Sequence, residues 1–260
     1  MKNGSIFDGY LICTDIDHTL VDDFGNISKE NAQAIKYFQQ NGGLFTVSTG
    51  RVYTHLDNFT NSFKVNTYVI QINGTSIFDT VNKKSVFSCP MDIKTINTVS
   101  CALLKKFSNN LILSRACTEH KMFGYNERIE NLNEDVFKAV FVFDNEKNCL
   151  KAEKYIEDNF SDICAFNRSW HEGLEIINPN SGKGVCVKKL KQLLGDKARC
   201  AVCVGDFEND ITMLKAADIG YAVSNAIDAV KNVADKITVS NNESAIAAVI
   251  HDLKKTIIKE

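Results

Sequence analysis

A chain of 260 residues with 44% hydrophobic and 24% charged side chains has enough apolar material for a large core, as one big domain or two moderate ones. Its formal net charge of −2, with no basic cluster, gives a nucleic-acid or anionic-membrane role no electrostatic support. The opening stretch MKNGSIFDGY lacks the apolar core of a signal peptide and no apolar run is long enough to cross a bilayer, so a cytosolic protein is expected.

The first ninety residues alternate strand and helix patterns. Residues 11–16 read as a strand and 28–41 as a helix, with Ser28 as N-cap, Ala32, Ile35 and Phe38 as its apolar stripe, and Gly42–Gly43 as its stop. Strands are expected at 44–49 and 68–73, with a helix over 52–63 between them. The middle, 82–180, reads differently. A hairpin (76–80 and 85–89) leads into a helix at 92–107, then strands at 111–116, 138–144 and 174–178 and a helix over 147–159.

The first pattern then returns: a helix over 184–195, a strand at 200–206, a helix over 209–217, short strands at 219–223 and 236–239 flanking a helix near 226–233, and a closing helix over 243–257. Short, doubly apolar strands alternating with helices predict an α/β fold, a Rossmann-like, doubly wound parallel sheet. The expected organisation is a discontinuous core, 1–81 and 181–260, with an inserted α+β domain over 82–180. Nine cysteines, an odd number, are scattered among apolar neighbours and read as buried thiols. Cys200 and Cys203 make a C-x-x-C, but on a strand their side chains face opposite ways, and no second pair completes a metal site.

Polar residues gather where the core strands end. Asp15 and Asp17 end the first; Ser48, Thr49, Gly50 and Arg51 the second; Asn73 and Gly74 the third; Gly205, Asp206, Asn209 and Asp210 the later one. In such sheets ligands bind beyond the carboxyl ends of the strands. Three carboxylates there (Asp15, Asp17, Asp206) suit a hard cation such as Mg²⁺, and a carboxylate can be the nucleophile of a phosphoryl transfer. Thr49 offers a hydroxyl, and Lys183, where a helix begins, adds charge to the helix terminus. Taken singly, each motif has a plainer reading. D-x-D is a common solvated turn, S-T-G-R fits a helix cap, and S-G-K-G lacks the rest of a nucleotide P-loop.

Together and in order, D15-I-D-H-T19, S48-T49-G-R51, K183-G and G205-D206-F-E-N209-D210 resemble the four signature motifs of the haloacid dehalogenase superfamily of phosphohydrolases. "INGT" (72–75), the inserted domain and "SNAIDAVKNVAD" (224–235) narrow the likeness to its Cof-type, sugar-phosphatase-like branch. The resemblance implies that Asp15 is the nucleophile and a Mg²⁺ ligand. It makes Asp17 the general acid and base and, through its backbone carbonyl, a metal ligand; the i, i+2 spacing would turn both side chains to one side of a strand. It assigns phosphate binding to Thr49, Gly50, Lys183 and Asn209, the metal site to Asp15, Asp17 and Asp206, and support of that site to Asp210. Asn73 and Asn225 are weaker carry-overs.

The implied activity is Mg²⁺-dependent hydrolysis of phosphomonoesters of small metabolites, sugar phosphates foremost, through an aspartyl-phosphate under a closing cap. The alternatives are a phosphosugar mutase on the same scaffold and a non-catalytic sensor of a phosphorylated metabolite. Two departures stand out. His18 occupies the position where the family carries glycine, and "NNESAIAAVI" lacks the family's E-D/N-G-V-A pattern. Arg168, Trp170 and His171 read either as substrate-facing residues or as an exposed loop before the strand at 174–178. Arg51 would cap its helix or reach the inserted domain.

Overall fold

The computed structural model describes residues 5–53, 56, 63–125, 129 and 134–259. The helix expected over 52–63 falls largely outside them. The chain divides into two compact units, Met1–Val86 with Lys183–Glu260, and Phe87–Gly182.

The first unit is built on a five-stranded, all-parallel sheet. Its strands are β1 (Tyr10–Thr14), β2 (Leu44–Val47), β11 (Cys200–Gly205), β12 (Ile219–Ala222) and β13 (Lys236–Ile237), in the order β13-β12-β11-β1-β2. Ser48 forms a parallel bridge to Ile70, which carries the pattern on to β3 (Val69–Gln71). Helix α1 (Lys29–Gln40) starts as expected, with the Ser28 hydroxyl accepting from Asn31 N at 3.1 Å. It packs on the last helix, α6 (Ala245–Lys259); α4 (Lys183–Leu194) packs on α5 (Ile211–Ala216). Residues along β1 and β11 are buried almost without interruption, as expected of strands covered on both faces. An α/β core with a parallel sheet is therefore the architecture of this unit.

Between β3 and the hairpin β4 (Ser76–Asp79)–β5 (Lys84–Ser88), the chain turns sharply. Ile72 (φ 52°) and Asn73 (φ 54°) are both left-handed, an uncommon conformation for any side chain and more so for a β-branched one.

The second unit is an antiparallel sheet in the order β7-β6-β8-β10-β9: β6 (Leu111–Cys117), β7 (Met122–Gly124), β8 (Lys138–Phe143), β9 (Ala165–Trp170) and β10 (Gly173–Ile177). Helices α2 (Ile93–Lys106) and α3 (Glu146–Phe160) bury Ile96, Val99, Leu103 and Ile156 in a cluster with Phe141 and Leu174 of the sheet. Two strands were not legible in the sequence. β7 is only three residues long, and β9 (AFNRSW) lacks clean alternation. Arg168 lies in β9, buried, with its guanidinium against Glu146 and Glu153, so the stretch before β10 is a hairpin partner and not a loop.

The close approach of α4 to the first turn of α5 positions the lysine that heads α4. A Cβ on Gly184 would lie 2.2 Å from the Thr212 carbonyl oxygen, a backbone atom that cannot step aside. We expect Gly184→Ala to destabilise the protein by about 1–3 kcal/mol in urea unfolding, from overpacking alone. An unchanged midpoint would show that the two segments separate easily.

Candidate active site

β1 ends at Thr14, and its ladder runs one residue further through Asp15 N to Val204 O (2.9 Å). The chain then leaves the sheet, with Leu20 N and Val21 N both donating to Ile16 O (3.0 Å each). That turn corrects the expectation that Asp15 and Asp17 share one side of a strand. Alternation holds only while the strand lasts, and here the two side chains take different partners.

Asp15 points inward. Lys183 Nζ, at the first position of α4, donates to Asp15 Oδ1 at 2.6 Å and to Asp210 Oδ1 at 2.6 Å. The side chains of Lys183 and Asp210 are fully buried. The other oxygen of Asp210 accepts from Asp206 N (3.0 Å) and Phe207 N (3.4 Å), which locks the turn after β11. Thr19 Oγ1 donates to Asp206 Oδ1 at 2.7 Å. One oxygen from each of Asp15, Asp206 and Asp210 lies within 4.8 Å of the others.

This concentration of charge perturbs Asp15, Asp206 and Lys183. Burial, with Asp210 and Asp206 adding repulsion and Lys183 opposing, holds the Asp15 carboxyl well above the usual carboxylate range. Burial and Asp210 push Asp206 up to about 7. Burial alone would lower the Lys183 ammonium, but Asp15 and Asp210 outweigh it and keep lysine charged. Among the described residues one cation, Lys183, faces three buried carboxylates, which leaves the cluster short of positive charge, and its metal-donor atoms are all oxygen. Asp15 and Asp206, with Asp210 supporting them through Lys183 and the turn amides, therefore fit a hard divalent cation.

Asp17 is half exposed and lies outside this cluster. Its two oxygens are held by Arg51, from Nε at 2.9 Å and Nη2 at 2.7 Å, a two-pronged pair that raises the guanidinium above its ordinary range. Arg51 itself is placed by its backbone: Arg51 N donates to Thr49 Oγ1 (3.1 Å) and Arg51 O accepts from Ile72 N (3.1 Å). Thr49 is buried at the end of β2, with its backbone bonded to Ile70 and Asn73. A Cβ on Gly50 would meet the Asn73 amide at 3.1 Å, and Asn209 Nδ2 donates to Asn73 Oδ1 at 3.2 Å. The left-handed Asn73 thus ties the end of β2 to the turn after β11.

His18 follows Asp17 with φ 57°, a backbone that glycine adopts freely and histidine rarely. Its carbonyl accepts from Asn225 Nδ2 (2.8 Å), and Asn225 Oδ1 accepts from Asn241 N (2.9 Å). Asn225 therefore supports the loop after β1. Asn241, in the stretch that departs from the family pattern, also donates to Val21 O (3.1 Å) and Asp23 Oδ1 (2.9 Å). No spacing rule pointed to it. Its position 220 residues from Val21 in sequence makes it visible only in the fold.

Two measurements probe this cluster. Asp210→Asn would turn an amide N–H toward the Lys183 ammonium or withdraw an acceptor from the turn amides. We expect a loss of about 3–5 kcal/mol in chemical unfolding, as for one partner removed from a buried ion pair. Asp206 takes up its proton near 7 in the folded protein and near 3.8 in an ordinary carboxyl, so between those values the native state binds more protons and stability falls as pH rises. In chelator, Tm should decline from pH 5 to 7.5 more steeply for the native sequence than for Asp206→Asn; parallel slopes would discount this carboxyl.

The model of the haloacid dehalogenase-like hydrolases matches residues 12–250. The chain is 27% identical to 5-amino-6-(5-phospho-D-ribitylamino)uracil phosphatase YitU of Bacillus subtilis strain 168, with 92% of this chain and 95% of the relative covered. It is 30% identical to YcsE, a phosphatase of the same description from the same organism, with 92% and 94% covered. A solved haloacid dehalogenase-like hydrolase from B. subtilis superposes with a TM-score of 0.81 at 21% identity, over 93% of this chain and 98% of that one. With its four motifs in order on a parallel α/β sheet and a family match across nearly its whole length, the chain belongs to the haloacid dehalogenase-like hydrolases, in their Cof-type branch.

Proposed function

We propose that the protein is a phosphatase of small phosphorylated metabolites, with Mg²⁺ as cofactor and sugar or polyol phosphates as substrates. The observation that carries the reading is the buried Lys183, bonded at 2.6 Å to both Asp15 and Asp210 beside Asp206. Such a cluster costs stability unless it meets a cation and an anionic ligand. The names of the relatives, which act on a phosphorylated ribityl compound, favour a polyol phosphate.

In this reading an Asp15 oxygen attacks phosphorus as the ester P–O bond breaks, and the leaving alkoxide takes a proton from Asp17. Asp17 then accepts a proton from the water that attacks the aspartyl-phosphate, and rupture of the Asp15–phosphorus bond releases phosphate. Lys183 holds Asp15 in place and, with the N–H groups at the start of α4, offers positive charge to the phosphoryl oxygens. Thr49, Gly50 and Asn209 supply further donors. Asp15, Asp206 and the backbone carbonyl of Asp17 would ligate Mg²⁺, with Asp210 supporting them; Mg²⁺ when bound supplies charge neutralisation on the transferring group. The segment 82–180 serves as the family's cap, and the nine free thiols suit the cytoplasm.

The direct test is hydrolysis of p-nitrophenyl phosphate. Activity should require Mg²⁺, vanish in chelator and return on adding the metal. Asp15→Asn should cost at least about a thousandfold in kcat. Undiminished turnover in that variant would remove Asp15 as nucleophile.

A further inference from the structure

His18 is the residue in the first motif for which neither the family pattern nor the proposed chemistry has a use. Its backbone lies in the left-handed region (φ 57°), where a side chain is strained and glycine is not. Packing does not repay the strain, because the side chain is 64% exposed. The loop nevertheless holds the residue firmly. Asn225 bonds its carbonyl at 2.8 Å, and Thr19, its neighbour, bonds Asp206 at 2.7 Å.

The ring also faces a carboxylate. Its Nδ1 lies 3.7 Å from Asp23 Oδ1, and Asp23 is in turn held by Asn241 (2.9 Å) and Asn242 (2.9 Å). Those two amides keep the Asp23 carboxyl below its ordinary range, so it faces the ring as an anion. With Nδ1 turned to Asp23, Nε2 on the far side of the ring is available to a ligand. Thr19, the next residue, donates to Asp206 Oδ1 at 2.7 Å, which places His18 in the loop that borders the buried acidic cluster.

We propose that His18 is a specificity-determining residue: its Nε2 hydrogen-bonds a hydroxyl on the leaving group of a sugar or polyol phosphate. A side chain in strained backbone, exposed, anchored through its own peptide and facing a carboxylate gains its return from a ligand. The strain marks where the ligand is, and the neighbouring Asp15 and Asp17 say which part of it is near. In the phosphatase reading Asp17 serves the ester oxygen and Lys183 the phosphoryl oxygens, and His18 follows Asp17 directly in the chain. This rests on the phosphatase reading above.

The experiment compares two substrates in the intact protein with Mg²⁺: ribose 5-phosphate, whose leaving group carries hydroxyls, and p-nitrophenyl phosphate, whose leaving group carries none. His18→Gly suits the test because glycine accepts this backbone, so the variant folds, as a melting curve will show. We expect the ratio of kcat/KM for ribose 5-phosphate over that for p-nitrophenyl phosphate to fall about tenfold, carried mainly by KM, the scale of one lost hydrogen bond. An unchanged ratio, whether both activities persist or both fall together, overturns the role. If the native protein releases phosphate from neither ester, the phosphatase reading fails and takes this one with it. Native turnover with an unchanged ratio refutes His18 alone.

Discussion

A fully buried ammonium bridging two carboxylates is the constraint on which the rest of this protein depends. Lys183 reaches Asp15 and Asp210 at 2.6 Å each, in a place where an unpaired charge would be prohibitive. The bridge requires β1 and β11 to be neighbours in parallel register, so that Asp15 and Asp206 emerge side by side. It requires Gly184, because α4 could not otherwise approach Thr212 closely enough to carry lysine in. It also requires the turn after β11, which Asp210 closes with its second oxygen. One lysine cannot neutralise three buried carboxylates, and the residual charge makes the cluster receptive to a metal ion.

The two aspartates of the first motif are separated by one residue and by a large difference in environment. Asp15 is enclosed and its charge is opposed by burial; Asp17 is half exposed and held by Arg51 at both oxygens. In the proposed mechanism their different surroundings suit different tasks, one to attack and one to exchange protons with solvent and leaving group. The Arg51 pair also couples the end of β1 to the end of β2, since the backbone of Arg51 is fixed by Thr49 and Ile72.

The loop after β1 is braced from the far end of the chain. Asn225 and Asn241 bond His18, Val21 and Asp23, so residues more than 200 positions apart form one rigid rim. Loops that carry function are best placed when a scaffold over-determines them, and here side-chain amides do this in place of regular structure. A left-handed histidine can persist in such a loop.

Periodicity and punctuation in the sequence determined the strands of the parallel core, their order along the chain, and helix caps such as Ser28, because these are local properties of neighbouring residues. Its four motifs likewise determined which residues meet: Asp15, Lys183, Asp206 and Asp210 are in contact or nearly so. Outside its reach were β7 and β9, too short or too irregular to show a period, and the pairing of Arg168 with helix α3. Only the tertiary structure decided that Asp17 pairs with Arg51 while Asp15 pairs with Lys183, that His18 is left-handed, and that Asn241 braces the rim. Each of these depends on where a strand stops and what a distant segment presents there, and neither is a property of the residues adjacent in sequence.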